Sequence, residues 1–152
     1  MLFRSAAKFR ARVGPENQVS AGLIDGYSQL RTSPVQAIAT LRKAQQPLDT
    51  WLGRYFLGRA YLAAKAYPEA HSEFEACIKR AGEALAVYLD DIPTARLLPP
   101  ALYYFAQAQD GMHVPAAPQA YQTFLSTQTA TRDQDPLVAT ARARLARNVA
   151  LQ

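Results

Sequence analysis

The sequence predicts an all-α protein built from antiparallel helix pairs, and three observations carry that prediction. Alanine is abundant, β-branched residues are few, and ten prolines punctuate the 152 residues, a composition that favours helices with sharp ends. A fixed inward spacing recurs, in which a small residue is followed four positions later by a large one and seven positions later by a third inward residue: Ala37, Leu41, Ala44; then Ala70, Phe74, Cys77; then Ala117, Tyr121, Phe124. Ahead of the second set, Leu57-Gly58 and Tyr61 place a glycine among large apolar residues, as close contact between two helices requires.

Residues 1–16 form an N-terminal segment ending in the breaker Gly14-Pro15. Its first five residues, Met1-Leu2-Phe3-Arg4-Ser5, spell the translated end of a common short-read sequencing adapter. The expectation is a metagenomic fragment whose own N-terminal part is missing. Residues 17–48 read as a degenerate helix pair. Ser20 is expected to cap its first helix, which runs to about Arg31 with Leu23, Ile24, Tyr27 and Leu30 on one apolar face. Ser33-Pro34 opens the second, with Ser33 as cap and proline at the first helical position.

Residues 49–82 hold the clearest pair. Asp49-Thr50 caps a helix from Trp51 to about Ala64, and Trp51, Leu52, Tyr55, Phe56 and Leu62 cover nearly its whole circumference, so it should be packed on two sides. After the turn Lys65-Ala66-Tyr67-Pro68, the partner helix turns Ala70, Phe74, Cys77 and Ile78 inward and Glu69, Glu73, Lys79 and Arg80 outward. Residues 83–98 break the period and read as an insertion, in which Asp90-Asp91-Ile92-Pro93 stops a helix. Residues 99–131 form a third pair opened by Pro99-Pro100, with Phe105-Ala106 at the Leu57-Gly58 positions. Residues 132–152 carry a final helix capped by Asp135-Pro136, whose Leu137, Val138, Ala141 and Leu145 form an apolar stripe suited to covering an open end.

The spacing Leu57-Gly58, Tyr61, Tyr67, Ala70, Phe74, Cys77 resembles the tetratricopeptide (TPR) repeat, which has a period of ~34 residues. Ala37 precedes Ala70 by 33 residues. Longer strings narrow the likeness: Pro47 to Arg54, Gly58-Arg59-Ala60-Tyr61-Leu62, Ala70-His71-Ser72-Glu73-Phe74, Tyr88 to Pro93, Leu98-Pro99-Pro100 with Tyr103-Tyr104, and Asp135-Pro136-Leu137-Val138. Together they resemble the C-terminal TPR region of bacterial multidomain signalling proteins, where such repeats follow a serine/threonine kinase or nucleotide cyclase domain. The resemblance covers residues 34–147 and implies a TPR-like helical-hairpin solenoid that binds a protein or peptide in its concave groove. It implies a non-enzymatic scaffold, with no cofactor. Arg54 departs from the repeat, which prefers a large apolar residue there, and this implies looser packing of that pair.

In that register the first helix of each pair lines the groove, which assigns Tyr55, Arg59, Tyr103, Gln107 and Asp110 to a partner. An arginine and two tyrosines suit an extended peptide with an acidic or carboxylate group. Tyr55 and Tyr103 equally suit a role in shielding core from water. On this reading, exchanging Arg59 and Tyr103 for alanine weakens partner binding and leaves helicity unchanged.

Other chemistries find little purchase. The seven glycines match no phosphate loop; Gly58 reads as a close helix contact, and Gly82 and Gly111 as helix stops. His71, Cys77 and His113 are the nitrogen and sulfur ligand candidates, yet no C-x-x-C or H-x-x-x-H pair occurs. Cys77 falls at an inward small-residue position, where a thiol is buried and inert. Asp90-Asp91 lacks the further oxygens of a hard-cation site. The net charge of +5 gathers in Arg4, Lys8, Arg10 and Arg12 and in Arg142, Arg144 and Arg147, without the interleaved aromatics of a nucleic-acid platform. No apolar run reaches ~20 residues, so no membrane span is expected. One cysteine suits a reducing, cytoplasmic setting. An uncovered N-terminal end of a solenoid would also favour self-association.

Overall fold

The computed structural model describes residues 14–85, 94–128 and 135–150. The basic segment at Arg4 to Arg12 and the stop at Asp90-Asp91-Ile92-Pro93 lie outside those residues. Those described are helical or connecting, with no strand among them. The helices are α1 (Pro15–Gln29), α2 (Pro34–Ala44), α3 (Trp51–Ala63), α4 (Tyr67–Lys79), α5 (Ala81–Leu85), α6 (Leu98–Gly111), α7 (Ala117–Ser126) and α8 (Pro136–Ala150). A single 3₁₀ turn, Thr94–Leu97, leads into α6.

Helix α1 begins earlier than Ser20. Gly14 holds φ at 141°, an angle that favours glycine, and Pro15 follows at the first helical position. The helix also faces its neighbour differently from the expected stripe. Val19, Leu23 and Leu30 are buried, whereas Tyr27 is 44% exposed. The close approach to α2 is made through Gly22 and Gly26: a methyl group at either would fall within 2.5 Å of Ala44 or Leu41 side-chain atoms. With Gly26 turned onto Leu41, the next residue, Tyr27, turns away from it.

Ser33 does precede α2, but its hydroxyl makes no cap hydrogen bond. Thr50 behaves as expected: its Oγ1 accepts from the Gly53 amide at 3.1 Å. Gln45 Oε1 in turn accepts from the Thr50 amide at 2.8 Å, tying the loop after α2 to the start of α3.

Helices α3 and α6 end alike. Lys65 N–H donates to Leu62 O and Ala66 N–H to Tyr61 O; 48 residues on, His113 N–H donates to Asp110 O and Val114 N–H to Gln109 O. These are paired Schellman caps, with Lys65 and His113 at φ 59° and 58°. Gly111 is therefore not the stop; it ends α6 where a methyl group would lie 2.4 Å from the Tyr67 ring. Gly82 is likewise no stop, since it lies within α5.

Each main helix packs on the next: α1 on α2, α2 on α3, α3 on α4, α4 on α6, α6 on α7 and α7 on α8. In addition α3 touches both α1 and α6, and α6 touches α8. Three apolar clusters result. One joins Val19, Leu23, Leu41 and Leu57; one joins Trp51, Tyr55, Phe74 and Cys77; the last joins Tyr103, Tyr121, Phe124 and Val138. Leu52, Phe56 and Tyr61 border both of the first two clusters, so α3 is covered on two sides, as its composition requires. Gly58 lets the Phe74 ring approach to within 2.8 Å of where a methyl group would sit. The α8 stripe closes the last cluster with Val138 and Ala141, and Leu137 N–H donates to the capping Asp135 carboxylate at 2.9 Å.

Candidate functional site

Helices α1, α3 and α6 bring a row of aromatic side chains together. Tyr27 on α1 lies 5.1 Å, ring centroid to ring centroid, from Phe56 on α3. Phe56 meets Tyr55 edge-on, and Tyr55 meets Tyr104 of α6 edge-on at 6.1 Å. Tyr104 stacks on Phe74 at 5.6 Å, and the Arg59 guanidinium stands 5.2 Å above the Tyr104 ring. Phe56, Arg59, Tyr104 and Gln107 are each partly exposed. They share one spacing, since Phe56 and Arg59 precede Tyr104 and Gln107 by 48 positions each.

The five expected groove residues divide. Arg59 and Gln107 stay accessible on this face. Tyr55 and Tyr103 are only 2% and 5% exposed, which fits the core-shielding alternative. The cause is tertiary: Tyr104 closes over Tyr55, while Tyr121 and Phe124 pack on Tyr103 at 5.8 and 5.4 Å. Burial foremost, with the neighbouring Tyr104 adding to it, pushes the Tyr55 pKa well up; nearby Arg59 offsets part of this. Asp110 is partly exposed but pairs with Arg144 of α8 at 3.0 Å, so its carboxylate fastens the last helix. The Tyr121 hydroxyl is buried beside it without a hydrogen-bond partner, and burial followed by the Asp110 charge raises its pKa.

The structure does not gather the ligand candidates. Cys77 is fully buried, and its carbonyl accepts from Trp51 Nε1–H at 2.8 Å. Burial first, then the Glu73 charge, pushes its thiol up to about 12. His71 packs on the Phe105 ring at 4.6 Å with Gln109 Nε2 3.5 Å from its Nε2, whereas His113 occupies the turn after α6. Among the described residues no three His, Cys, Asp or Glu side chains converge on a common point, and no helix is long and apolar enough to cross a membrane.

A second polar feature was only half visible in the sequence, as the misfit at Arg54. Arg54 reaches Asp49 in the preceding loop and Glu73 on α4, the latter at 3.1 Å; Arg80 joins the same Asp49 at 3.0 Å and Glu83 at 2.7 Å. Glu73 is thus not simply outward, since its side chain is 17% exposed and faces α3. Arg54, the apparent misfit, replaces apolar contact by bridging. The network spans the loop, α3, α4 and α5, and its members are internally paired, so it offers a partner little. No protein-family model matches the chain, and neither curated proteins nor solved structures yield a match.

Proposed function

We propose that this chain is a TPR-like solenoid and acts as a non-enzymatic interaction module, holding a protein or peptide against the face shared by α1, α3 and α6. The order of packing supports the solenoid: hairpins α1–α2, α3–α4 and α6–α7 stack in sequence, and their first helices touch one another. The observation that carries the binding role is the row of exposed Tyr27 and partly exposed Phe56, Arg59 and Tyr104 across three successive first helices. Folded chains generally cover aromatic side chains, and rigid aromatics with an arginine are the residues that dominate binding surfaces.

Bacterial signalling is the setting that the TPR likeness suggests, with the module serving as the regulatory tail of a kinase or cyclase. A role in assembling an envelope or secretion complex is the other setting. An in-frame catalytic domain encoded upstream supports the first, and an upstream signal peptide the second.

The binding role is tested with a display library of extended peptides on wild type and on Tyr27→Ala. Tyr27 replaces Tyr103 as the reporter because Tyr103 is buried, and truncating it would open a cavity. Peptides that bind wild type are expected to bind Tyr27→Ala more weakly at unchanged helicity. A library that returns no wild-type binder, or binders indifferent to Tyr27, would count against the role.

A further inference from the structure

Helix α8 occupies the place of a first helix rather than of a simple cover. Its buried Val138 and Ala141 stand 33 positions after Phe105 and Ala108 of α6, which stand 48 positions after Leu57 and Ala60 of α3. In each helix these two positions lie against the hairpin before it. Leu57 and Ala60 pack with the residues of α1 and α2, Phe105 and Ala108 with those of α3 and α4, and Val138 and Ala141 with those of α6 and α7. Accordingly α8 packs on α7 and touches α6, just as α6 packs on α4 and touches α3.

Helices α3 and α6 each lay their opposite face on the helix that follows. Gly58 meets the Phe74 ring, and Ala106, 0% exposed, packs with Tyr121 and Phe124. The same step of 33 positions leads from Ala106 to Ala139 and from Asp110 to Ala143, and both alanines are exposed. A face covered twice in the chain is therefore open on α8.

We infer that this face receives an acidic amphipathic helix of a partner protein, which turns a large aromatic side chain onto Ala139. The two covered hairpins define the occupant. Against Gly58, α4 brings Ala70, Phe74 and Cys77; against Ala106, α7 brings Ala117, Tyr121 and Phe124. The incoming helix carries the same pattern, a small residue followed four positions later by an aromatic one that fills the space left by alanine. Its charge follows from α8, which bears Arg142, Arg144 and Arg147 and no acidic residue. That charge also disfavours the α8 of a second copy, since like charges would line one seam. The site is separate from the face shared by α1, α3 and α6 and does not depend on it.

The probe is a labelled, end-blocked peptide with the α4 sequence, Tyr67 to Lys79 with Cys77→Ala, stapled between positions 72 and 76. The staple lies opposite Phe74 and forms the helix before binding. In fluorescence anisotropy the peptide should bind wild type, and hydrogen exchange in α8 should slow on binding. Phe74→Ala in the peptide should weaken binding about tenfold or more, the scale of an aromatic anchor. Exchanging its three glutamates for glutamine should weaken binding and flatten its salt dependence. In the protein, Ala139→Gln keeps a good helix former but fills the slot, so it should abolish binding at an unchanged circular dichroism spectrum. Absence of binding to wild type, or equal binding to Ala139→Gln, would overturn the site. Indifference to Phe74 or to the glutamates would overturn the occupant inferred for it. The groove reading is decided independently, by the display library on Tyr27→Ala.

Discussion

Lys65 and His113 carry backbone angles, φ 59° and 58°, that are ordinarily left to glycine. Each closes a Schellman cap that turns a first helix into its partner. A side chain in this region costs ~1–2 kcal/mol, partly offset by the entropy that glycine loses on folding. Lys65→Gly and His113→Gly should therefore each stabilise the protein by about 0.5–1 kcal/mol, read as a higher denaturation midpoint at unchanged denaturant slope. The glycines illustrate how legibility varies residue by residue. Gly58 could be assigned a close contact because large apolar residues surround it in the sequence. Gly111 could not, because the ring against it, Tyr67, comes from a different hairpin. Burial of Tyr55 was half legible: helical period left groove and core equally open, and the residue that decides it, Tyr104, lies in the next hairpin.

Among the elements, α3 was the most legible, since Thr50 caps it and apolar residues ring it. The Arg54 bridge was half legible. Its misfit showed in the sequence, but Glu73 lay on the side that the period marks as outward. Arg54→Leu should cost about 1–2 kcal/mol at neutral pH, because Glu73 would remain partly buried without its cation. Burial already raises the Glu73 pKa against the opposing effect of Arg54. Adding Glu73→Gln to Arg54→Leu should recover most of the loss in a thermal melt. Asp49 behaves oppositely. Burial would raise its pKa, but hydrogen bonds from Arg54 and Arg80 outweigh this and hold it below the ordinary value of 3.8. A lowered carboxylate stabilises the fold above its unfolded value, and that contribution fades as pH falls through the folded value. Asp49 is 45% exposed, so solvent keeps the effect small. Asp49→Asn should lower the midpoint near neutrality and leave stability flatter below about pH 4 than in wild type.

For the molecule as a whole, the three clusters are strung along the chain, each built chiefly from neighbouring hairpins. Composition and spacing made the helix pairs legible, and the α8 stripe announced a covering role. The accessible row across α1, α3 and α6 was not legible, because it needs the three first helices placed side by side. A nearly linear succession of contacts predicts graded stability. Val138→Asp places a charge at a position 1% exposed, against Tyr103, Tyr121 and Phe124. It should cost roughly 3 kcal/mol or more locally. Hydrogen exchange should accelerate through α6, α7 and α8 well before α1 and α2 respond. Uniform acceleration would show instead that the clusters unfold as one.

The chain's one tryptophan gives that question an optical handle. Trp51 is 4% exposed, stacks on Tyr55 at 5.7 Å, and spends its indole N–H on the Cys77 carbonyl. Its emission should be blue-shifted in the native protein and report the seam between α3 and α4 specifically. In Val138→Asp the colour of that emission should hold while the distant cluster loosens. Loss of the seam itself should appear as a red shift.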